Sequence, residues 1–400
     1  MNPRERLEAA LAHRESDRIP VDLGASESSG IHGVAYNKLK AQLGLTGGRT
    51  RIYDLSQMIA KVEPEVLDRV GADAVPLLIE PREWKPWMLP DGSACEVPAG
   101  ANLRHTAAGG AELLADDGTV VAVCPASSLY FDTCYHALER AVSPADIEAG
   151  VAHLRSFDWP SYNDEDYEDL ARKARRLYET TDRALVGNLW VHVLAAGQIL
   201  RGFGSFMVDL VADKPLAHAL MGRLVEGYEE RVRRYVEAVG PYCSVIQVND
   251  DLGTQTGLQV SPATYREMIK PYHARLWGQI KQLSGKPLLL HSCGSIYDVI
   301  PDLLEIGVDA INPVQIAAAK MDSALLKREF GRDLAFWGGG CDTQNVLERG
   351  TPQQVREEVR CRCYDLAPGG GFVFCQVHNI QPRVPVGNIL AMYEAAAELG

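Results

Sequence analysis

The sharpest chemical signal in this 400-residue chain is His291-Ser292-Cys293, at the end of the apolar run PLLLHSCG. Strand residues two apart point the same way, with Cα atoms roughly 6.5–7 Å apart, so an imidazole nitrogen and a thiolate can reach one ion. The pair suits zinc, which takes a third protein ligand and keeps a fourth position open in catalytic sites. A second run, FVFCQVHNIQP, offers His378 and Cys375 as the third ligand. In an extended segment these two lie about 10 Å apart and face opposite ways, so only one is expected to join the metal. His378 is nearer the strand end and is preferred, with Cys375 as the alternative. Packing competes with this reading, because a buried cysteine is an ordinary small hydrophobe and a histidine is often a hydrogen-bonded core group.

Other strand ends in the C-terminal half also carry polar residues. SVIQVNDDLGTQTG ends in Asp250 and Asp251, VDAINPVQ in Asn312 and Gln315, and LAFWGGGCDTQ in a glycine triplet followed by Cys341 and Asp342. Asp250 and Asp251 are the expected catalytic acids or orienting groups, although alternation lets only one face inward, and an Asp-Asp-Leu-Gly turn also serves as a loop cap. Asn312, Gln315 and Asp342 are the expected substrate contacts. The remaining cysteines have no partner pattern and are assigned to packing or surface.

The elements that must position these residues are legible. Four cap residues are followed by proline at the first helical position, Asn2-Pro3, Ser143-Pro144, Ser261-Pro262 and Thr351-Pro352, and Glu5 and Gln354 complete capping boxes for two of them. Between helical stretches lie about eight apolar runs of strand length, at 18–23, 74–79, 184–191, 244–249, 287–291, 308–313, 334–338 and 372–377. Continuous apolar runs alternating with amphipathic helices imply parallel strands buried on both faces, and eight repeats favour a closed (β/α)8 TIM barrel in the α/β class. Residues 82–125 are turn-rich, with Asp91-Gly92, Gly109-Gly110 and Asp117-Gly118, and read as a β-hairpin insertion in a single domain over 1–400.

Composition narrows the function. Forty Lys+Arg against 53 Asp+Glu give a net charge of −13 with no basic run, which disfavours nucleic acid and anionic membrane surfaces. The longest apolar stretch, 184–200, is broken by Asn188, His192 and Gln198 and is expected to be strand and helix, not a membrane span. A charged N-terminus without the apolar core of a signal peptide points to the cytoplasm, where cysteines stay thiols or metal ligands. No G-x-x-x-x-G-K-[ST], G-x-S-x-G or Cys-x-x-Cys pattern is present.

The chain resembles the uroporphyrinogen decarboxylase superfamily through NPRERLEAALAHRESDRIPVDLG, VNDDLGTQTG, SPATYREMIKPYHARL, HSCGSIYDVIPDLLEIGVDAINPVQ and FVFCQVHNIQPRVPVGNILAMYEAA. Members share a (β/α)8 barrel. The resemblance to tetrapyrrole decarboxylases is incomplete, since their R-Q-A-G-R-Y motif has no counterpart in RIPVDLGASESSGIHGVAYNKL. The other branch holds zinc methyltransferases of corrinoid systems, whose H-x-C pair His291 and Cys293 match. Thiol-methylating members carry cysteine where His378 stands, so the resemblance leans toward enzymes that demethylate small compounds such as methoxyarenes.

The resemblance thus implies zinc on His291, Cys293 and His378 or Cys375, a small methylated substrate, and methyl transfer to cobalamin. No corrinoid-binding Asp-x-His-x-x-Gly motif is present, so the corrinoid is expected on a partner protein docked over the rim beside the insertion. A homodimer is left open. Two rival readings are a decarboxylase of a small or tetrapyrrole acid and a non-catalytic corrinoid- or tetrapyrrole-binding protein.

Overall fold

The computed structural model describes residues 1–154 and 162–399, without the side chains of 151–154. Seven parallel strands form one sheet in simple sequential order: β1 Ala74–Leu77, β2 Ala184–Asn188, β3 Val245–Asn249, β4 Leu288–His291, β5 Ala310–Asn312, β6 Ala335–Trp337 and β7 Phe372–Val373. The sheet curls until its two edges meet the segment 20–22. Phe374 N donates to Pro20 O and Asp22 N to Phe374 O, both at 2.8 Å, while Asp73 N donates to Val21 O at 2.7 Å. This eighth stave lies in the first of the predicted apolar runs, and the other seven runs each contain one of the strands, giving the (β/α)8 barrel.

Inside the barrel, side chains follow the two-residue period of the strands. Ala74, Ala184, Val186, Val245, Leu289, Ala310, Ala335, Trp337, Val373 and Cys375 form one buried cluster, closed at the bottom by Leu7, Ala10 and Leu11 of the N-terminal helix α1, Pro3–Leu11. Helix α1 starts at the Asn2/Glu5 capping box. The other three cap-proline sites also open helices, at Pro144, Pro262 and Pro352. Beneath the stave, the fully buried Asp73 accepts from Arg6 Nη1 at 2.5 Å, from Arg18 Nη1 at 2.7 Å and Nη2 at 2.9 Å, and from Val21 N at 2.8 Å. Two guanidinium groups and a backbone amide therefore satisfy a charge that burial alone would make costly.

Helices cover the outside. The longest, Lys214–Val239, buries Leu216, Leu220, Leu224, Tyr228, Val232, Tyr235 and Val239 at three- and four-residue spacing, the stripe an α-helix needs to pack on a sheet. Leu194–Arg201, α2, follows β2, and Lys270–Ser284, α3, follows β3. Between β1 and β2 the chain makes an antiparallel hairpin, Trp84–Met88 with Ala94–Pro98, and a four-stranded antiparallel sheet ending at Asp132–Thr133. Among the described residues no single helix is long and apolar enough to cross a membrane.

Candidate active site

Period and register place a ring of polar side chains at the C-terminal mouth of the barrel. Because Val186, Val245, Leu289 and Ala310 face inward, so do Asn188, Gln247, Asn249, His291 and Asn312 two or four residues later. Asn249 pairs with His291, and His291 with Asn312, so these three stand level on adjacent strands.

His291, Cys293 and His378 converge there, each half-buried, with their ligand atoms all within 4.8 Å of one another. Cys293 Sγ lies 3.6 Å from His291 Nε2. Tetrahedral zinc, with Zn–S about 2.3 Å and Zn–N about 2.0–2.1 Å, sets sulfur and nitrogen about 3.6 Å apart, so this pair already has the spacing the metal requires. His378 closes the set with a modest approach. Its imidazole is held at a pKa of about 4, chiefly by burial and then by the neighbouring His291, so it stays a neutral donor. Burial, followed by the charge of Asp251, pushes the Cys293 thiol well above its ordinary value; a cation at the cluster is what would favour the thiolate. The donor set therefore fits zinc in type and in spacing.

Supporting groups fix the geometry. His291 Nδ1 donates to Asn312 Oδ1 at 3.0 Å, while Asn312 Nδ2 donates to Trp337 O at 3.1 Å and Ser28 Oγ to Asn312 Oδ1. With its amide nitrogen committed to a carbonyl, Asn312 can only accept from the imidazole, which leaves the Nε2 lone pair aimed at Cys293. The loops after β3 and β4 are knit together. Cys293 N donates to Asp251 Oδ1 at 2.8 Å, Leu252 N to Ser292 Oγ at 3.0 Å, and Gly294 N to Gln315 Oε1 at 2.6 Å. Gly294 has φ +82°, and a Cβ there would lie 2.4 Å from the Gly253 carbonyl carbon, so only glycine permits this approach.

Several residues singled out from sequence have different places from those expected. Cys375 is fully buried in the barrel interior with Trp337 and Val373 and is not in the converging group; His378 is. Asp250, 1% exposed, accepts from the backbone N–H groups of Val193, Leu194 and Ala195 at 2.7–2.8 Å and from His273 Nε2 at 2.8 Å. Burial raises its pKa, but His273 and the amides outweigh burial, so the carboxylate stays ionised and caps α2. It has no proton to give. Asp251 is the member of the pair at the cluster, 3.7 Å from His291 Nε2, with its side chain partly open to solvent. Asn312 and Gln315 hold His291 and Gly294, whereas Asp342 accepts from Gln344 N and Asn345 Nδ2 within its own turn.

Glu27, Tyr53 and Gln247 have no role assigned from sequence, and Asn188 and His192 figure there only as breaks in an apolar stretch. The segment ASESSG follows the first stave, so examining every strand end, not only those of the C-terminal half, would have raised Glu27.

The model of the uroporphyrinogen decarboxylase (URO-D) family matches residues 171–399, more than half of the chain and every predicted metal ligand. The chain belongs to the URO-D family. It is 25% identical over 267 residues to the uroporphyrinogen decarboxylase of Gloeobacter violaceus (strain ATCC 29082 / PCC 7421), covering 65% of this chain and 68% of that one. Among solved structures, this URO-D family member shares its fold with a methyltransferase from Methanosarcina mazei. The TM-score is 0.60 at 17% identity, with 100% of this chain and 99% of the other covered.

Proposed function

We propose that this URO-D family protein is a zinc-dependent methyltransferase, moving a methyl group from a small methylated substrate, a methoxyarene by preference, to a corrinoid carried on a separate protein. The observation that carries the reading is the convergence of His291, Cys293 and His378 at the open end of the barrel, with His291 already in the tautomer a metal needs. Membership of the URO-D family and the whole-length fold match to a methyltransferase support it.

Zinc, when bound, would supply a Lewis acid that stabilises the negative charge left on a heteroatom losing its methyl group. The chain's own residues do the rest. Asn312 and Ser28 hold His291 in place, Asp251 braces the Cys293 backbone and offers a solvent-connected carboxylate for proton movement, and Gln315 fixes the loop at Gly294. Tyr130, whose hydroxyl accepts from Gln381 Nε2 at 2.7 Å, comes from the segment between β1 and β2. The corrinoid protein would dock on the rim beside the same segment.

The competing decarboxylase reading is disfavoured by the N-terminal region RIPVDLGASESSGIHGVAYNKL, which has no counterpart of the R-Q-A-G-R-Y motif. The deciding assay is methyl transfer to free reduced cobalamin from methoxyarenes, methanol, methylamines and methyl thioethers, with metal content measured on the same sample. Zinc near one per chain, and loss of both zinc and transfer in His291→Ala and Cys293→Ala, are expected. Full metal-independent activity in Cys293→Ala overturns the proposal.

A further inference from the structure

Beside the cluster at the mouth, a second set of polar side chains carries oxygen atoms without partners. The loop 24–30 spans the opening, tied at one side by Asn188 Nδ2 donating to Ala25 O at 3.0 Å and at the other by Ser28 Oγ donating to Asn312. Between these anchors sits Glu27, 5% exposed, its carboxylate oxygens in no close hydrogen bond, with the Trp190 indole as a neighbouring donor; Tyr53 Oη, Asn188 Oδ1 and Gln247 Oε1 are unpartnered. Asn188 and Gln247 stand opposite each other in register. Beside them opens a cavity of about 210 Å³ lined by Tyr53, Tyr162, Asn188, Trp190, Arg231 and Tyr235. Burial raises the phenols of Tyr53, Tyr162 and Tyr235, and the charge of Glu27 adds to it, as a carboxylate near that cavity would.

Each buried acceptor left without a donor costs about 1–3 kcal/mol, and a concentration of five such atoms on four residues is rare unless a ligand completes it. The missing component is a hydrogen-bond donor. Three features narrow it further. Four of the ten lining residues are aromatic and four more, Leu78, Ile79, Pro81 and Leu189, are apolar, and the volume exceeds the roughly 150 Å³ that accommodates benzene, so one ring fits. The Arg231 guanidinium already faces the cavity, so a second cation is disfavoured and a neutral donor preferred. From strand spacing, the Cα atoms of Asn188 and His291 are about 12 Å apart, two strands over and two residues higher, and with both side chains extending inward the gap left between them is of the order of one ring carrying oxygens at both ends.

We propose that Glu27, Tyr53, Asn188 and Gln247 form a recognition site for the free hydroxyl of a single-ring phenolic substrate. Only the direction of the opposite substituent, toward His291, rests on the methyltransferase reading.

The test uses the full-length, metal-free chain in titration calorimetry with 4-methoxyphenol and 1,4-dimethoxybenzene. The phenol should bind at least tenfold tighter, Glu27→Leu should erase that preference, and Tyr53→Phe, which removes a hydroxyl bonded to nothing, should reduce it without altering the thermal melt. Equal binding of the two compounds, no binding of either, a preference that survives Glu27→Leu, or tighter binding of a methylammonium ion each overturns the assignment. Because neither metal nor corrinoid is present, a failed methyl-transfer assay leaves this result standing, and the converse holds.

Discussion

Asn312 stands one strand from His291, level with it, and the hydrogen bond from His291 Nδ1 to Asn312 Oδ1 at 3.0 Å decides which imidazole nitrogen faces Cys293. The amide is itself held by Trp337 and Ser28, so the tautomer is set by groups drawn from three other parts of the chain. Asn312→Leu should therefore weaken zinc binding about 10–100-fold, the range usual when the partner of a metal-bound imidazole is lost. Competition with a chromophoric chelator measures this, and an unchanged affinity would show that Asn312 does not orient the ligand.

The neighbouring aspartates should separate cleanly. Removing the carboxylate in Asp250→Ala leaves three backbone N–H groups and His273 without their acceptor in a dry interior, at a cost of about 3–5 kcal/mol seen in denaturant melts. Asp251→Asn keeps the shape at a partly open position and should lower methyl transfer at least tenfold while shifting stability by less than about 1 kcal/mol. Equal stability losses in the two variants would contradict these roles.

Glu27 gives a pH signature. Burial first, and then the charge of Asp54, raise its pKa to about 7 from an ordinary value near 4.5. A carboxyl whose folded pKa is raised penalises the fold above that pKa, and the penalty fades as pH falls toward the unfolded value. Glu27→Gln should stabilise the chain by about 3 kcal/mol at pH 8 and by under about 1 kcal/mol at pH 5. Melts at the two pH values check this; equal gains, or a larger gain in acid, would contradict it.

At the barrel's other end, Asp73→Ala would strand Arg6 and Arg18 without their shared carboxylate and release the stave at 20–22. A loss of about 3–5 kcal/mol is expected in the unfolding midpoint. A loss below about 1 kcal/mol would mean that closure does not depend on this ion cluster.

Much of this arrangement is written in local sequence. The eight apolar runs and the cap-proline pairs locate strands and helix starts because each depends on only a few neighbouring residues. His291 and Cys293 are visible for the same reason, as a two-residue period. The choice between His378 and Cys375 depends on where β7 stops, at Val373, after which Cys375 still points into the packed interior while His378 lies in the following loop. Alternation shows that one of Asp250 and Asp251 turns away from the barrel. Only the inward direction of Asn249, a matter of register, shows that it is Asp250, which meets the start of α2. Glu27 has no local signature at all. Its character comes from a loop that crosses the mouth and is anchored at Ala25 to Asn188, more than 150 residues away.

The central claim is tested most directly by zinc K-edge X-ray absorption on the purified full-length chain. About one zinc per chain is expected, with one sulfur near 2.3 Å and two imidazole nitrogens near 2.0–2.1 Å, the sulfur signal vanishing in Cys293→Ala. A chain purified in zinc-replete medium that holds no zinc, or zinc with no sulfur ligand, would contradict it.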